Sequence, residues 1–336
     1  CQGDVELNRR GKRKIYPIFL PNAGCKTRCV FCNQVIMTGE TIPNIRELES
    51  VDFSGVDEIA FYGGTFTGLK KDTMKRLLDI SPSTPKRIST RPDSLDKETI
   101  ELLKNGNVQV IELGIESLDD EVLSYSKRGY KAEEALRAIE RLKDDFKLIA
   151  HLMIGLPRDT REKDIRTVQL LIDSGIRVFR IHPTLVFKNT ELEDMYKNGL
   201  YTPLNLQDAI DIVVEMVAMI ESNNGQVTRL GYHVPQSQME FLIAGPYHSA
   251  FGDVVRSTLI RKIIEELSIK KVTYSAKYKP WFYAHGNNEI QVERQEIQEV
   301  EDAGNDDVLF FDGLNYVESL ELLLRRSKKN PRIEVI

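Results

Sequence analysis

Along the first two-thirds of the chain, short apolar and β-branched runs alternate with stretches whose apolar positions recur every three or four residues. The runs are IYPIFLP (15–21), EIAFYGG (58–64), KRISTRP (86–92), VQVIELGIES (108–117), KLIAHLMIG (147–155) and VFRIHPTLV (178–186). Between them lie DTMKRLLDI, KETIELLKNG, AEEALRAIERLK and EKDIRTVQLLIDSG, each carrying the three-to-four spacing of an amphipathic helix. Strands apolar on both faces suit a parallel sheet covered by helices, and six such units in succession predict an α/β fold, a partial (β/α)6 TIM-like barrel. No sequence motif repeats with that rhythm.

Past residue 190 the rhythm changes. A helix is predicted over roughly 206–222, followed by the loop-rich TRLGYHVPQSQMEFLIAGPYHSAFGD and a helix near 255–267. A strand pair (KVTYSAKY and EIQVERQ), VLFFDG and a terminal helix VESLELLLRRSKK complete the pattern. The expected organisation is therefore a basic segment at 1–14, the barrel at 15–200 and a smaller α+β region at 201–336 that could act as lid or substrate platform.

Composition narrows the class. Apolar residues make up 41% and charged residues 29%, the balance of a water-soluble globular protein. Runs such as DIVVEMVAMI fall short of a bilayer span, and no signal peptide opens the chain, so a membrane partner is not expected. Four cysteines, three of them clustered, favour a reducing, cytoplasmic setting and a metal site over a disulfide framework; Cys1 is given no role. A net charge of −5 does not mark a nucleic-acid protein. Two local excesses qualify this: Arg9, Arg10, Lys12, Arg13 and Lys14, and Lys270, Lys271, Lys277 and Lys279, partly offset by an acidic run at 293–302. Taken singly, each excess reads as a solvated face.

The chemistry concentrates where barrel enzymes keep it, after the strand C-termini. Cys25, Cys29 and Cys32 follow the first strand in GCKTRCVFCNQ; Gly63, Gly64 and Thr65 end the second; Ser89 to Pro92 end the third. Glu116 and Ser117 end the fourth, His151 and the Gly155-Leu156-Pro157 turn the fifth, and His182 the sixth. Three thiolates in one loop can hold three corners of a four-iron cluster, leaving one iron for a ligand from outside the protein. A zinc site completed by a distant His is the alternative.

CKTRCVFC, with Phe31 before the last cysteine, resembles the motif of the radical S-adenosylmethionine (AdoMet) superfamily, radical SAM for short. FYGGTFTGL, STRPD, ELGIES, HLMIGLP and HPTLVFKNTELEDMY resemble its Elp3-like branch, itself related to the HemN-type coproporphyrinogen dehydrogenases. The likeness covers roughly 15–200, more weakly to about 260, and residues 260–336 show no glycine-rich loop like that of the branch's acetyltransferase domain. It implies a [4Fe-4S] cluster on Cys25, Cys29 and Cys32, and AdoMet on the open iron. It further implies Phe31 beside the adenine, Gly63, Gly64 and Thr65 facing the methionine amine, and Ser89 near the ribose. Glu116, Arg128 and His151 would grip the rest of the cofactor. The implied activity is reductive AdoMet cleavage to a 5′-deoxyadenosyl radical, with a one-electron donor such as flavodoxin or ferredoxin as partner. An RNA (tRNA) nucleoside is the expected substrate, a tetrapyrrole or other metabolite the alternative. Read without the resemblance, Gly63-Gly64 is equally a turn, Glu116 and Arg128 a surface ion pair, and His182 a strand-end residue. Tyr232, His233, Tyr247, His248 and Trp281 read as ordinary core and rim, or as the wall of a substrate pocket.

Overall fold

The computed structural model describes residues 14–282, 299–302 and 308–329. Arg9, Arg10, Lys12, Arg13, the expected strand EIQVERQ and most of the acidic run lie outside the described residues. Six strands appear where the apolar runs predict them: β1 (Ile15–Leu20), β2 (Glu58–Gly63), β3 (Lys86–Thr90), β4 (Val108–Glu116), β5 (Lys147–Ile154) and β6 (Val178–Pro183). Two short strands in the following region, β7 (Val186–Phe187) and β9 (Leu242–Ala244), pair antiparallel. Between them in sequence, β8 (Gln226–Leu230) lies parallel to β6, giving a seven-stranded sheet of order β1-β2-β3-β4-β5-β6-β8. The barrel rhythm thus extends past residue 200: the helix Leu206–Ser222 and β8 add a further αβ step that the five-residue QVTRL did not announce.

Side chains alternate across each strand, so each face of the sheet has its own chemistry. One face carries Ile59, Phe61, Ile88, Ile111, Leu113, Leu152, Phe179 and Ile181, all essentially inaccessible to water. These form one core with the helix stripes of Met74, Leu77 and Leu78, of Ala135, Ile139 and Leu142, and of Val168 and Leu171. Each of the larger aliphatic and aromatic side chains contributes roughly 1.5–3 kcal/mol by leaving water, which makes this face the stabilising one.

The other face is polar. Arg87 Nε meets Glu58 Oε1 at 2.5 Å, Arg87 Nη1 meets Glu112 Oε1 at 3.1 Å, and Arg180 Nη1 meets Glu112 Oε2 at 2.5 Å. This ladder ties β2, β3, β4 and β6 across what would be the lumen of a closed barrel. Taking four charges out of water is costly even when they pair, so such a floor is weak as a stabiliser. It makes physical sense as the lining of a wet, functional cleft.

Beyond β9, the helix Phe251–Leu267 and the terminal helix Tyr316–Lys329 pack against Leu206–Ser222, and Val255, Ile260, Val272, Phe311 and Leu320 continue the same core. A small sheet of β10 (Lys271–Tyr274), β11 (Glu299–Asp302), β12 (Leu309–Phe311) and β13 (Leu314–Asn315) has the order β11-β10-β12-β13. Its register sets Lys271 opposite Glu299, so the lysine-rich segment borders an acidic strand. Trp281 belongs to the helical layer. Arg256 lies over its ring at 4.7 Å while gripping Glu221 through both terminal nitrogens, and the Tyr316 hydroxyl donates to Glu221 at 2.9 Å.

Candidate active site

The loops after β1 and β2 dock backbone against backbone. Thr65 N donates to Ala23 O at 2.7 Å and Ala23 N to Leu20 O at 3.0 Å. A Cβ on Gly64 would sit 2.1 Å from Ala23 O, and one on Gly24 would sit 2.2 Å from Thr65 O. Glycine is thus required here by the protein's own packing. Gln34 Oε1 staples the two loops, accepting from Asn22 N at 2.5 Å and from Gly64 N at 2.8 Å. With the Gly64 and Thr65 amides already used, the backbone of this turn offers carbonyl oxygens, the complement an amine needs.

That docking presents three free thiols, each with a polar neighbour. Asn22 Nδ2 donates to Cys32 Sγ at 3.3 Å, the Thr65 hydroxyl lies 3.3 Å from Cys25 Sγ, and Arg128 Nη1 donates to Cys29 Sγ at 3.2 Å. Arg91 stands 3.9 Å from the same Cys29 sulfur, positioned by a two-bond grip on Asp93 and by the Thr27 hydroxyl. Burial, then the neighbouring Cys29, pushes the Cys32 thiol up to about 12. Among the described residues, no three His, Cys, Asp or Glu side chains converge on a single ion. Thiolates that each bind a different iron need no such convergence. Three sulfurs supported by N–H, O–H and guanidinium donors fit an anionic iron–sulfur cluster, whose sulfurs are stabilised by such contacts.

Beside the thiols runs a second chain of contacts. A register shift between Gly114 and Glu116 bulges β4, and Glu116 takes a left-handed backbone, φ 63°. Bulges and such backbone strain re-aim side chains next to functional sites. The Glu116 carboxylate meets His151 Nδ1 at 3.1 Å and Arg128 Nη1 at 3.7 Å. Burial alone would raise its pKa; His151, then Arg128 and Arg91, hold it below the ordinary carboxylate value. Arg128 also binds Gly114 O and the Tyr130 hydroxyl, and packs over the Tyr130 ring. His151 Nε2 reaches His182 Nδ1 at 3.0 Å, and the two rings meet edge-on. His182 Nε2 is buried without a partner, and burial together with His151 pushes the His182 pKa well below 6.5.

The structure therefore brings Cys25, Cys29, Cys32, Thr65, Gly63, Gly64, Glu116, Arg128 and His151 to one end of the sheet. Glu116 and Arg128 pair in the interior. Phe31 is buried in an apolar patch with Met153, Leu156 and Val186 beside the cysteine loop, and Ser89 lies on the polar face opposite Glu112. Sequence reasoning assigned no role to Asn22, Gln34, Arg91 or Tyr130, although Asn22 sits in the Asn-Ala-Gly turn that leads into Cys25. Tyr232 stacks edge-on against His182 and Phe187, and Tyr247 joins it in the apolar patch of Leu185 and Val234. His233 is exposed, and His248 Nδ1 accepts from Ala250 N at 3.1 Å.

The family models described as Radical SAM superfamily and Radical_SAM C-terminal domain match residues 19–171 and 176–261. An uncharacterized protein of Methanocaldococcus jannaschii is 29% identical over 225 residues, 64% of this chain and 69% of that protein. The tRNA uridine(34) acetyltransferases of M. jannaschii and M. infernus are 37% and 36% identical over 38% and 52% of this chain. Those alignments span only 24% and 33% of the acetyltransferases' own length. Among solved structures, N-terminally truncated M. infernus Elp3 superposes with a TM-score of 0.58 at 22% identity, over 74% of this chain and 62% of that one. Coproporphyrinogen III oxidase (HemN) from Escherichia coli gives 0.50 at 16% identity, over 62% and 52%. At those identities the likeness is one of fold.

Proposed function

The chain belongs to the radical SAM superfamily, and on that premise we propose that it is an Elp3-like enzyme that modifies a nucleoside of RNA, with tRNA as the substrate class. The observation that carries the reading is the set of three free thiols on one loop, beside the buried Glu116 and Arg128 and the half-buried His151. Cys25, Cys29 and Cys32 would hold a [4Fe-4S] cluster. The carbonyls of Gly63 and Gly64, with Glu116, Arg128 and His151, would hold AdoMet, and Phe31 would border its adenine. When bound, the cluster and AdoMet supply one-electron cleavage of a carbon–sulfur bond and a 5′-deoxyadenosyl radical able to take hydrogen from a C–H bond.

The chain's own residues orient and protect. Arg128 places a fixed positive charge against Cys29 and against any carboxylate entering beside Glu116. Glu116 fixes the His151 ring, whose other nitrogen faces His182. Phe31, Met153, Leu156 and Val186 share one apolar patch with Cys29 and Cys32 and would limit water at the thiols. A one-electron donor of the flavodoxin or ferredoxin class and a cytoplasmic setting complete the reading. No helix among the described residues is long and apolar enough to cross a membrane.

RNA is favoured by the likeness to tRNA uridine(34) acetyltransferases over their radical portion. The small-metabolite alternative draws on the net charge of −5 and on the acidic strand beside Lys271. Salt dependence separates them. Each phosphate neutralised adds roughly 0.7–0.9 to the salt slope, so four contacts imply an affinity for tRNA falling roughly 50- to 150-fold from 50 to 200 mM salt. Absence of salt-sensitive RNA binding by the reconstituted protein returns the substrate to the metabolite class.

A further inference from the structure

Registered strands place two arginines side by side on the polar face: Arg180 of β6 is the direct partner of Arg229 of β8. Like charges opposite one another on neighbouring strands repel, and guanidinium cannot relieve the repulsion by losing its proton. Glu112 neutralises Arg180 but is already shared with Arg87, whose other carboxylate partner is Glu58. Three arginines therefore share two carboxylates. Arg229 is the one left over, without a hydrogen-bond or ion-pair partner among the described residues.

The surroundings of Arg229 lack the same thing. His182, two residues after Arg180 on the same face of β6, keeps its buried Nε2 unpartnered, and Arg229 is close enough to act on its charge. Tyr232 stands edge-on to His182 and lies within electrostatic reach of both Arg229 and Cys32. A half-buried, unpaired guanidinium, an unused imidazole nitrogen and a phenol thus gather on the thiol side of the cleft, and an oxyanion would satisfy all three. We propose that Arg229, with His182 and Tyr232, forms an oxyanion subsite that anchors a phosphate or carboxylate of the substrate beside the radical centre. Arginine's planar fork matches either group with two parallel hydrogen bonds. The subsite rests on the radical SAM reading for its purpose but not for its existence.

Thermal melts of the anaerobically reconstituted full chain at low ionic strength test it, comparing wild type, Arg229→Gln and Arg229→Lys with added inorganic phosphate, acetate or chloride at matched ionic strength. Removing the uncompensated charge should make Arg229→Gln melt roughly 3 °C above wild type in anion-poor buffer. Phosphate or acetate should raise the melting of wild type and Arg229→Lys but not of Arg229→Gln. Protection by phosphate alone assigns the subsite to a phosphate-bearing substrate such as RNA, and equal protection by acetate assigns it to a carboxylate. The proposal is overturned if Arg229→Gln is the less stable protein, if chloride protects as well as either oxyanion, or if the anions stabilise all three chains alike. A wild type that cleaves AdoMet yet shows no oxyanion effect removes only the subsite; one that shows the effect but never cleaves AdoMet removes only the radical reading.

Discussion

Gly64→Ala isolates the contact on which the thiol loop depends. The backbone of Gly64 is not left-handed, so an alanine there pays for contact and nothing else. Its Cβ would lie 2.1 Å from Ala23 O, 2.6 Å from Ala23 N and 2.8 Å from Leu20 O, all backbone atoms that cannot rotate away. Relief requires the loops to separate by more than about 1 Å, since carbon and its neighbours settle near 3.5 Å. Overpacking of this kind costs about 1–3 kcal/mol, and losing the Thr65–Ala23 hydrogen bond adds about 1 kcal/mol. A total of about 2–4 kcal/mol corresponds to roughly 3–6 °C in melting temperature for a chain of this length. Gly55→Ala is the control: it has a left-handed backbone, φ 73°, and nothing within 4 Å of the added carbon, so only backbone strain of about 1–2 kcal/mol is expected. Both variants are melted without metal and then reconstituted anaerobically. Gly64→Ala should be the less stable and should take up less iron. If it melts with Gly55→Ala and fills with iron normally, backbone docking is not what demands glycine here.

Replacing Arg128 with Met leaves Glu116 buried with His151 as its remaining close partner, a loss of about 3 kcal/mol in unfolding free energy, read from urea melts. Because Arg128 helps hold the Glu116 pKa below its ordinary 4.5, the loss should be full above that value and shrink only as pH falls below about 4.5, where the wild-type carboxylate itself protonates; a loss that stays constant through that acid range counts against this pairing. Asp159 and Asp164 behave oppositely. Burial raises the Asp159 carboxyl to about 6, and burial with Asp159 raises Asp164 well above its ordinary value. Carboxyls raised on folding stabilise below their unfolded pKa, and that stability is lost as pH rises through the folded pKa. Wild type should therefore weaken from pH 4 to 8 relative to Asp164→Asn, and parallel urea-midpoint profiles would refute the pairing.

The sheet was legible because apolar and β-branched runs of seven to ten residues between amphipathic helices have few other structures open to them. The strand β8 escaped because QVTRL carries only two aliphatic residues, and its pairing with β6 is a long-range fact. The same split divides the site. Cys25, Cys29 and Cys32 are local in sequence and visible at once. Glu116 and Arg128, twelve residues apart, could be foreseen as a pair, but their depth could not, because it depends on the bulge at Gly114 and on Tyr130. His182 read as a strand-end residue, whereas the adjacency of β5 and β6 sets it 3.0 Å from His151. Arg229 carried no sequence signal, since its isolation depends on which residue β8 places opposite it.

On the proposed function, Cys25, Cys29 and Cys32 would hold a cluster with one open iron, where AdoMet would be cleaved. Anaerobic reconstitution followed by iron, sulfide and 5′-deoxyadenosine analysis under a one-electron reductant tests it most directly. Wild type should carry about four iron and four sulfide per chain and form 5′-deoxyadenosine, and Cys29→Ala should form none. A wild type that retains zinc in place of iron, or a Cys29→Ala chain that cleaves AdoMet at the wild-type rate, would contradict the account.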